Sequence, residues 1–169
     1  MIKFIVDAVF DCIKNIEESL CDCVVLPGFP RSIQMDSYSC GAQAAWSILE
    51  YYGKGIGMDR VRKRTGTSGG GGGGASEFDI INLLRKEGLI ARKELKSSVS
   101  RLKKEINMGH PILTSISTKN GNHWIVVYGY DDCNLFISDS IPNITCRIPT
   151  ELFKSKWDKE IVIVKERGG

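Results

Sequence analysis

Apolar residues at the start of the chain recur every three or four positions, which is the spacing of one face of a helix. They form a single stripe within residues 2–20: Ile2, Val6, Val9, Ile13, Ile16 and Leu20. We therefore expect residues 1–23 to form an amphipathic helix and residues 24–169 to form the main domain. The helix is expected to pack on this domain. Self-association or docking of a partner through residues 2–22, or a helix that lies on a membrane surface, is the alternative.

Four further helices are predicted before residue 110, where apolar positions again follow the helical period. They cover residues 39–52, 58–64, 77–87 and 99–108. Ser37 or Ser39 is expected to cap the first of them, and Ser76 the third. The inward faces are expected to comprise Ala42, Ala45, Trp46, Leu49 and Tyr52 in the first, Phe78, Ile81 and Leu84 in the third, and Leu102 and Ile106 in the fourth.

Beyond residue 110 the pattern changes to runs of β-branched and aromatic residues, which is typical of strands. The predicted strands span residues 111–118, 123–130 and 135–138, with a hairpin turn at residues 131–134. Residues 144–148 and 161–165 are expected to add edge strands. Helices first and antiparallel strands after them indicate an α+β fold, not a doubly wound parallel sheet.

A run of six glycines lies between the second and third of these predicted helices. Glycine has no side chain to pack, and a homopolymeric run flanked by small residues has the composition of a flexible linker. We interpret residues 68–76 as an engineered replacement of a native loop. A natural flexible loop or a phosphate-binding loop is the alternative, although no Gly-Lys-Ser/Thr sequence follows the run.

The composition is that of an ordinary globular protein. Of 169 residues, 42% are hydrophobic and 25% are charged, and the net charge of +3 does not indicate a nucleic-acid partner. Charged residues interrupt the apolar positions of residues 2–20, so neither a signal peptide nor a membrane span is predicted. We expect a cytoplasmic protein.

The six cysteines do not form a disulfide framework: they are Cys12, Cys21, Cys23, Cys40, Cys133 and Cys146. Their spacing is irregular and the chain is long for a disulfide-stabilised mini-domain, so reduced thiols are expected. Cys21 and Cys23 lack a second cysteine or histidine pair at zinc-finger spacing. No metal site is therefore predicted.

Cys40 has the neighbours that a catalytic cysteine requires. It opens the predicted helix 39–52, and Gln34 lies six positions before it. A thiol attacks as thiolate, and the unpaired N–H groups of a helix N-terminus lower the pKa of a cysteine placed there. A histidine must then take the thiol proton and return it to the leaving group.

His123 is the preferred base, because a side chain at the start of a strand can face the tip of a helix; His110 is the alternative. A catalytic imidazole also needs an acceptor that holds its tautomer. Asp139 follows His123 by sixteen residues, on the return strand of the predicted hairpin. Asp131 and Asp132 are expected to be surface residues of the turn. The Gln34 side chain would donate an N–H to the oxyanion, together with the Cys40 backbone N–H.

These residues resemble the papain-like superfamily, and within it the bacteriocin-processing (double-glycine) peptidase family and its bacterial relatives. The similarity spans about residues 24–140. The matching motifs are Gln34 with Cys40-Gly41, Tyr51-Tyr52-Gly53, Gly74-Ala75-Ser76, Glu87-Gly88-Leu89, Gly109-x-Pro111, Asn122-His123-Trp124 with Gly129-Tyr130-Asp131, and Ser138-Asp139.

The resemblance implies a papain-like α+β fold, with the catalytic cysteine at a helix start and a C-terminal antiparallel sheet. It also implies a bacterial protein with Cys40 as nucleophile, His123 as base, Asp139 as orienting acid and Gln34 as oxyanion donor. Neither a metal nor a cofactor is implied. The leading hypothesis is a cysteine peptidase that cleaves a peptide or protein substrate through a thioester acyl-enzyme, with cleavage after Gly-Gly as its finer form. A catalytically inactive peptide-binding module and an acyltransferase with the same triad are the alternatives.

Overall fold

Five helices and seven strands make up the regular structure within residues 23–67, 73–141 and 146–168, the part of the chain that the computed structural model describes. The helices are α1 Cys40–Tyr51, α2 Met58–Arg64, α3 Glu77–Lys86, α4 Val99–Asn107 and α5 Thr150–Lys156. The strands are β1 Val24–Val25, β2 Leu89–Glu94, β3 Ile112–Thr118, β4 Gly121–Tyr130, β5 Asn134–Ser138, β6 Arg147–Pro149 and β7 Ile161–Glu166. The predicted N-terminal helix and residues 68–72 of the glycine-rich segment lie outside the described residues.

The four helices predicted from periodicity are present as α1 to α4. Ser76 caps α3 as expected, because its hydroxyl accepts the backbone N–H of Asp79 at 3.2 Å. The prediction that Phe78 faces inward is wrong, since 72% of its surface is exposed. Ile80 belongs to the buried face instead, and a residue two positions earlier lies on roughly the opposite side of a helix.

All strand pairs are antiparallel, in the order β2-β7-β3-β4-β5-β6, and β1 pairs with β4. The predicted hairpin is present as β4 and β5. The prediction of β7 as an edge strand is wrong, because β7 pairs with both β2 and β3. Strands β1 and β2 and helix α5 were not predicted. The alternation in β2 is weak, since only Leu89 and Ala91 are buried in it.

Helices cover both faces of the sheet. One core joins α1, α2 and α3 to alternate strand residues such as Val126, and the other joins α4 and α5 to the intervening ones, such as Ile125 and Val127. A strand buried on both faces reads as a nearly continuous apolar run, and β4 has that pattern. The sheet and the helix that begins at Cys40 are thereby packed together, with α1 lying against β4. The structure confirms the predicted α+β fold.

The pairing of β4 with β5 shifts by one residue at Tyr128. Phe136 pairs with Gly129, whereas Ile137 pairs with Val127. Two positions of β4 therefore correspond to one position of β5, which is a β-bulge with Tyr128 as the extra residue.

This bulge decides which face of the sheet Asp139 joins. Beyond it Ser138 pairs with Val126, so the next residue, Asp139, comes level with Ile125. His123 lies two positions before Ile125 in β4, and residues two positions apart in a strand lie on the same face of the sheet. Without the extra residue Asp139 would come level with Val126, on the opposite face, because a one-residue slip exchanges the faces of a strand.

Gly129 is expected to be irreplaceable at the crossing of β1, β4 and β5. A Cβ at this position would lie 2.7 Å from the carbonyl oxygen of Val24 and 2.8 Å from the ring of Phe136. Gly129→Ala should therefore lower the free energy of unfolding by about 1–3 kcal/mol, the usual effect of overpacking. Chemical denaturation measures this, and Gly168→Ala is the control, because a Cβ there has no atom within 4 Å. Equal stability of the two variants would contradict the close approach.

Candidate active site

Cys40 is the first residue of α1 and is half-buried. Burial of the thiol raises its pKa, but a hydrogen bond with His123 and the backbone N–H groups of Trp124 and Gly41 act in the opposite direction. The balance leaves the pKa of Cys40 below that of a free cysteine. The helix N-terminus and the start of β4 together stabilise a thiolate at this position.

The cap of α1 differs from the sequence prediction. Ser39 occupies the N-cap position but its side chain makes no capping hydrogen bond. The carboxylate of Asp36 instead accepts the backbone N–H groups of Tyr38 and Ser39, at 3.1 and 2.8 Å. Arg62 of α2 donates to the other oxygen of Asp36 at 2.8 Å. This turn anchors the loop that leads directly into Cys40.

His123 lies in β4 and is 7% exposed. Its Nε2 is 2.7 Å from Oδ1 of Asp139, which leaves Nδ1 for the hydrogen bond with the Cys40 thiol. Burial lowers the pKa of the imidazole, but the hydrogen bonds and charges of Asp139 and Cys40 outweigh it and raise the pKa to about 9. A lowered thiol pKa beside a raised imidazole pKa favours a thiolate–imidazolium pair at neutral pH.

Asp139 follows β5 and is 3% exposed. Besides the contact with His123, its Oδ1 accepts the backbone N–H of Ile141 at 2.8 Å. Arg31 holds the backbone on both sides, since its Nε donates to the Asp139 carbonyl at 2.7 Å and its terminal nitrogen to the Ile141 carbonyl at 3.0 Å. The carboxylate is therefore fixed in the orientation that meets the imidazole.

Gln34 is buried between the loop before Cys40 and the segment after Asp139. Its backbone N–H donates to the Ser140 carbonyl at 2.8 Å, and its side-chain oxygen accepts the Ser140 hydroxyl at 2.6 Å. Its side-chain nitrogen donates to the Asp36 carbonyl at 2.8 Å. The structure thus places Cys40, His123 and Asp139 in a direct hydrogen-bonded chain, and it bonds Gln34 to Ser140, the residue after Asp139.

The rejected alternatives lie elsewhere in the fold. His110 is bonded through Nδ1 to Glu105, at 2.7 Å, and belongs to a separate cluster. Asp132 is exposed as expected, but the prediction that Asp131 is a surface residue is wrong, since it is 6% exposed. The Asp131 carboxylate accepts the backbone N–H groups of Cys133 and Asn134, and this closes the turn between β4 and β5.

Several residues that hold the site were missed by sequence reasoning. The position of Asp36, three residues before Ser39, is a local signal that could have revealed it as a capping residue. Arg31 and Ser140 carry no such signal, because their partners lie more than a hundred positions away along the chain.

The described part of the chain has neither a metal-binding cluster nor a membrane-spanning helix. It contains no group of three or more His, Cys, Asp or Glu side chains that could hold a metal ion. Over the same residues, no helix has the length and apolar character needed to cross a membrane. The four cysteines within these ranges all carry free thiols.

A thiol at a helix N-terminus, bonded to an imidazole on an antiparallel sheet, is the arrangement of papain-like peptidases. The chain belongs to the Peptidase C39 family, whose sequence model matches residues 29–168. No curated protein matches the chain.

Solved structures of similar fold come from the same family. A double-glycine-motif protease from an AMS/PCAT transporter, in complex with the leader peptide, is 25% identical, with a TM-score of 0.67 over 82% of this chain and 91% of that one. The peptidase domain of Streptococcus ComA, a bifunctional ABC transporter of a quorum-sensing pathway, is 22% identical, with a TM-score of 0.68 over 82% and 99%. A C39-like peptidase from Bacillus anthracis is 18% identical, with a TM-score of 0.65 over 87% and 100%. These similarities confirm the papain-like fold and the family predicted from the motifs.

Proposed function

We propose that this chain is a cysteine peptidase that hydrolyses a peptide bond through a thioester acyl-enzyme. Cys40 is the nucleophile, His123 the general base and acid, Asp139 the orienting acid and Gln34 the oxyanion donor. The observation that carries the proposal is the hydrogen-bonded chain from the Cys40 thiol through His123 to the buried Asp139 carboxylate.

The reaction follows from this geometry in two halves. The Cys40 thiolate attacks the carbonyl carbon of the substrate, and the negative charge that forms on the carbonyl oxygen is bound by the Gln34 amide and the Cys40 backbone N–H. Imidazolium His123 then protonates the amide nitrogen as the C–N bond breaks, which releases the amine and leaves a thioester. His123 next removes a proton from water, and the resulting hydroxide attacks the thioester and regenerates the thiolate.

The substrate class is proposed from the relatives. A similar peptidase is a double-glycine-motif protease, and its structure contains a leader peptide. We propose that this chain likewise takes a peptide substrate and cleaves it after Gly-Gly.

Selective alkylation of Cys40 tests the nucleophile. At pH 6 less than about 1% of an ordinary thiol is thiolate. Cys40 should therefore react with iodoacetamide at least about tenfold faster than the exposed Cys133, although Cys40 is half-buried, because the pKa of the Cys40 thiol is lowered. Peptide mapping by mass spectrometry gives both rates in one sample. Equal rates would refute an activated thiol at Cys40.

Cleavage of a Gly-Gly peptide separates the remaining hypotheses. For a peptidase, mass spectrometry should detect a product that ends in Gly-Gly and bears a free carboxylate. A selectively alkylated Cys40 without any cleaved product would favour a peptide-binding module. A product joined to an added primary amine in place of water would favour an acyltransferase.

A further inference from the structure

Ser140 and Gln34 form a hydrogen-bonded pair inside the protein. Ser140 is 5% exposed and Gln34 is 9% exposed. The two residues are joined twice, by a backbone hydrogen bond of 2.8 Å and by the side-chain bond of 2.6 Å. They lie 106 positions apart in the chain, so the contact exists only in the folded state.

The partners of the Gln34 amide fix its orientation. A backbone carbonyl can only accept, so the group of Gln34 that meets the Asp36 carbonyl must be the NH₂ group. The amide oxygen consequently faces Ser140, and the Ser140 hydroxyl must be the donor. The bond to the Asp36 carbonyl excludes the flipped amide, in which two acceptors would meet.

One N–H of the Gln34 amide is used by the Asp36 carbonyl. Binding of a substrate oxyanion would therefore use the second N–H of the same nitrogen. Its direction depends on the rotation of the amide plane, and the Ser140 hydroxyl holds that plane from the oxygen side. Without this hydroxyl the amide oxygen would be buried and unpaired, and the amide would turn to recover a partner.

We propose that Ser140 is a positioning residue that holds the oxyanion donor Gln34 in its active orientation. This inference rests on the proposed function, because it requires that Gln34 binds an oxyanion.

Ser140 directly follows Asp139, so the same short segment positions both the base and the oxyanion donor. Asp139 orients the imidazole and Ser140 orients the amide, so two consecutive residues after β5 align both halves of the catalytic machinery. Arg31 holds this segment at the carbonyls of Asp139 and Ile141. A displacement of the segment would therefore disturb base and oxyanion donor together, whereas loss of the Ser140 hydroxyl alone should disturb only the donor.

Two reactions of Cys40 distinguish these effects in Ser140→Ala. Alkylation by iodoacetamide displaces iodide and creates no oxyanion, so its rate reports only the thiolate and its imidazole. Addition of the thiolate to N-acetyl-Gly-glycinal creates a tetrahedral oxyanion, and protection of Cys40 from alkylation measures the affinity of this aldehyde. Ser138→Ala is the matched control, since Ser138 is also buried but bonds the Pro30 carbonyl, at 3.3 Å.

The expected result is an unchanged alkylation rate and an aldehyde affinity reduced by about three- to tenfold, the usual effect of one lost hydrogen bond. Ser138→Ala should change neither value. Ser140→Thr, which keeps the hydroxyl, should restore part of the affinity. In a Gln34→Ala background, Ser140→Ala should cause no further loss, because it acts through Gln34.

Other outcomes overturn the inference in distinguishable ways. If Gln34→Ala weakens aldehyde binding and Ser140→Ala does not, Ser140 has no positioning role and the proposed function is unaffected. If Ser140→Ala slows alkylation as much as it weakens aldehyde binding, the residue is merely structural. If wild-type Cys40 is not alkylated selectively, the proposed function itself fails.

Discussion

Cys40→Ala is expected to abolish peptide hydrolysis. Removal of the nucleophile of a catalytic triad typically lowers kcat by on the order of 10⁶-fold, because no thioester can form. The variant should keep its fold, since the side chain is half-buried and alanine is compatible with the start of a helix. Turnover of a Gly-Gly peptide, followed by mass spectrometry, measures the loss, and thermal unfolding verifies the fold.

Cys133→Ala is the appropriate control for this loss. Cys133 is an exposed free thiol at the turn between β4 and β5, and its backbone is hydrogen-bonded to Asp131 and Thr150. Its replacement should leave turnover unchanged. If Cys40→Ala still hydrolyses the peptide and a variant of another cysteine loses all activity, that other cysteine is the nucleophile.

His123→Ala is expected to cause the second largest loss, and to change the pH dependence of the remaining thiol chemistry. General acid–base catalysis contributes about 10²–10⁴-fold, so turnover should fall by at least that factor. The imidazole also lowers the pKa of Cys40 against the opposing effect of burial. In its absence burial still raises the pKa of the Cys40 thiol, and that pKa should therefore increase.

The sign of this shift can be measured directly. Alkylation of wild-type Cys40 should stay fast down to acidic pH, because its thiolate persists while His123, with a pKa raised to about 9, remains protonated. In His123→Ala the acid limb of the Cys40 profile should move to higher pH. His110→Ala is the control, because His110 is bonded to Glu105 and lies in another cluster. An unmoved acid limb in His123→Ala would exclude the thiolate–imidazolium pair.

Three of the four candidate site residues, Cys40, Gln34 and His123, carry a local signal that made their positions predictable. A cysteine that opens an apolar helix, a glutamine just before it and a histidine at the start of a β-rich run are all visible in a short window. The choice of His123 over His110 also needed only the expectation that a strand start faces a helix tip. Their catalytic roles remain predictions that the experiments above must decide.

Asp139 shows the limit of this reasoning. Its sequence separation from His123 indicates a hairpin partner, but a regular hairpin in the register of Phe136 and Gly129 would leave it on the wrong face. The bulge at Tyr128 corrects the register; Gly129 beside it signals either a bulge or a close backbone approach, but it does not say which. The prediction of the pair was right, while the reason that it can form appears only in the folded sheet.

Elements at the sheet margins were less predictable than the site. Apolar and polar residues of β2 do not alternate clearly enough in the sequence to indicate a strand. The apolar run of β7 indicates a strand but does not reveal that this strand pairs on both sides. Strand order depends on pairings between distant segments, which local patterns do not encode. The inward face of α3 was misjudged for a similar reason, because several rotations of a short apolar helix fit the same pattern.

The sequence by itself determined the helix that begins at Cys40, the hairpin that carries His123, the α+β class and the family. These features depend on periodicity, caps and short motifs, which act over a few neighbouring residues. Only the tertiary structure decided the contacts that hold the site in place. The register shift at the bulge places Asp139 on the face of His123. Arg31 bonds the segment after β5, and Ser140 bonds Gln34. Hydrogen bonds between residues about a hundred positions apart form only when packing brings the two segments together, so no local sequence pattern predicts them.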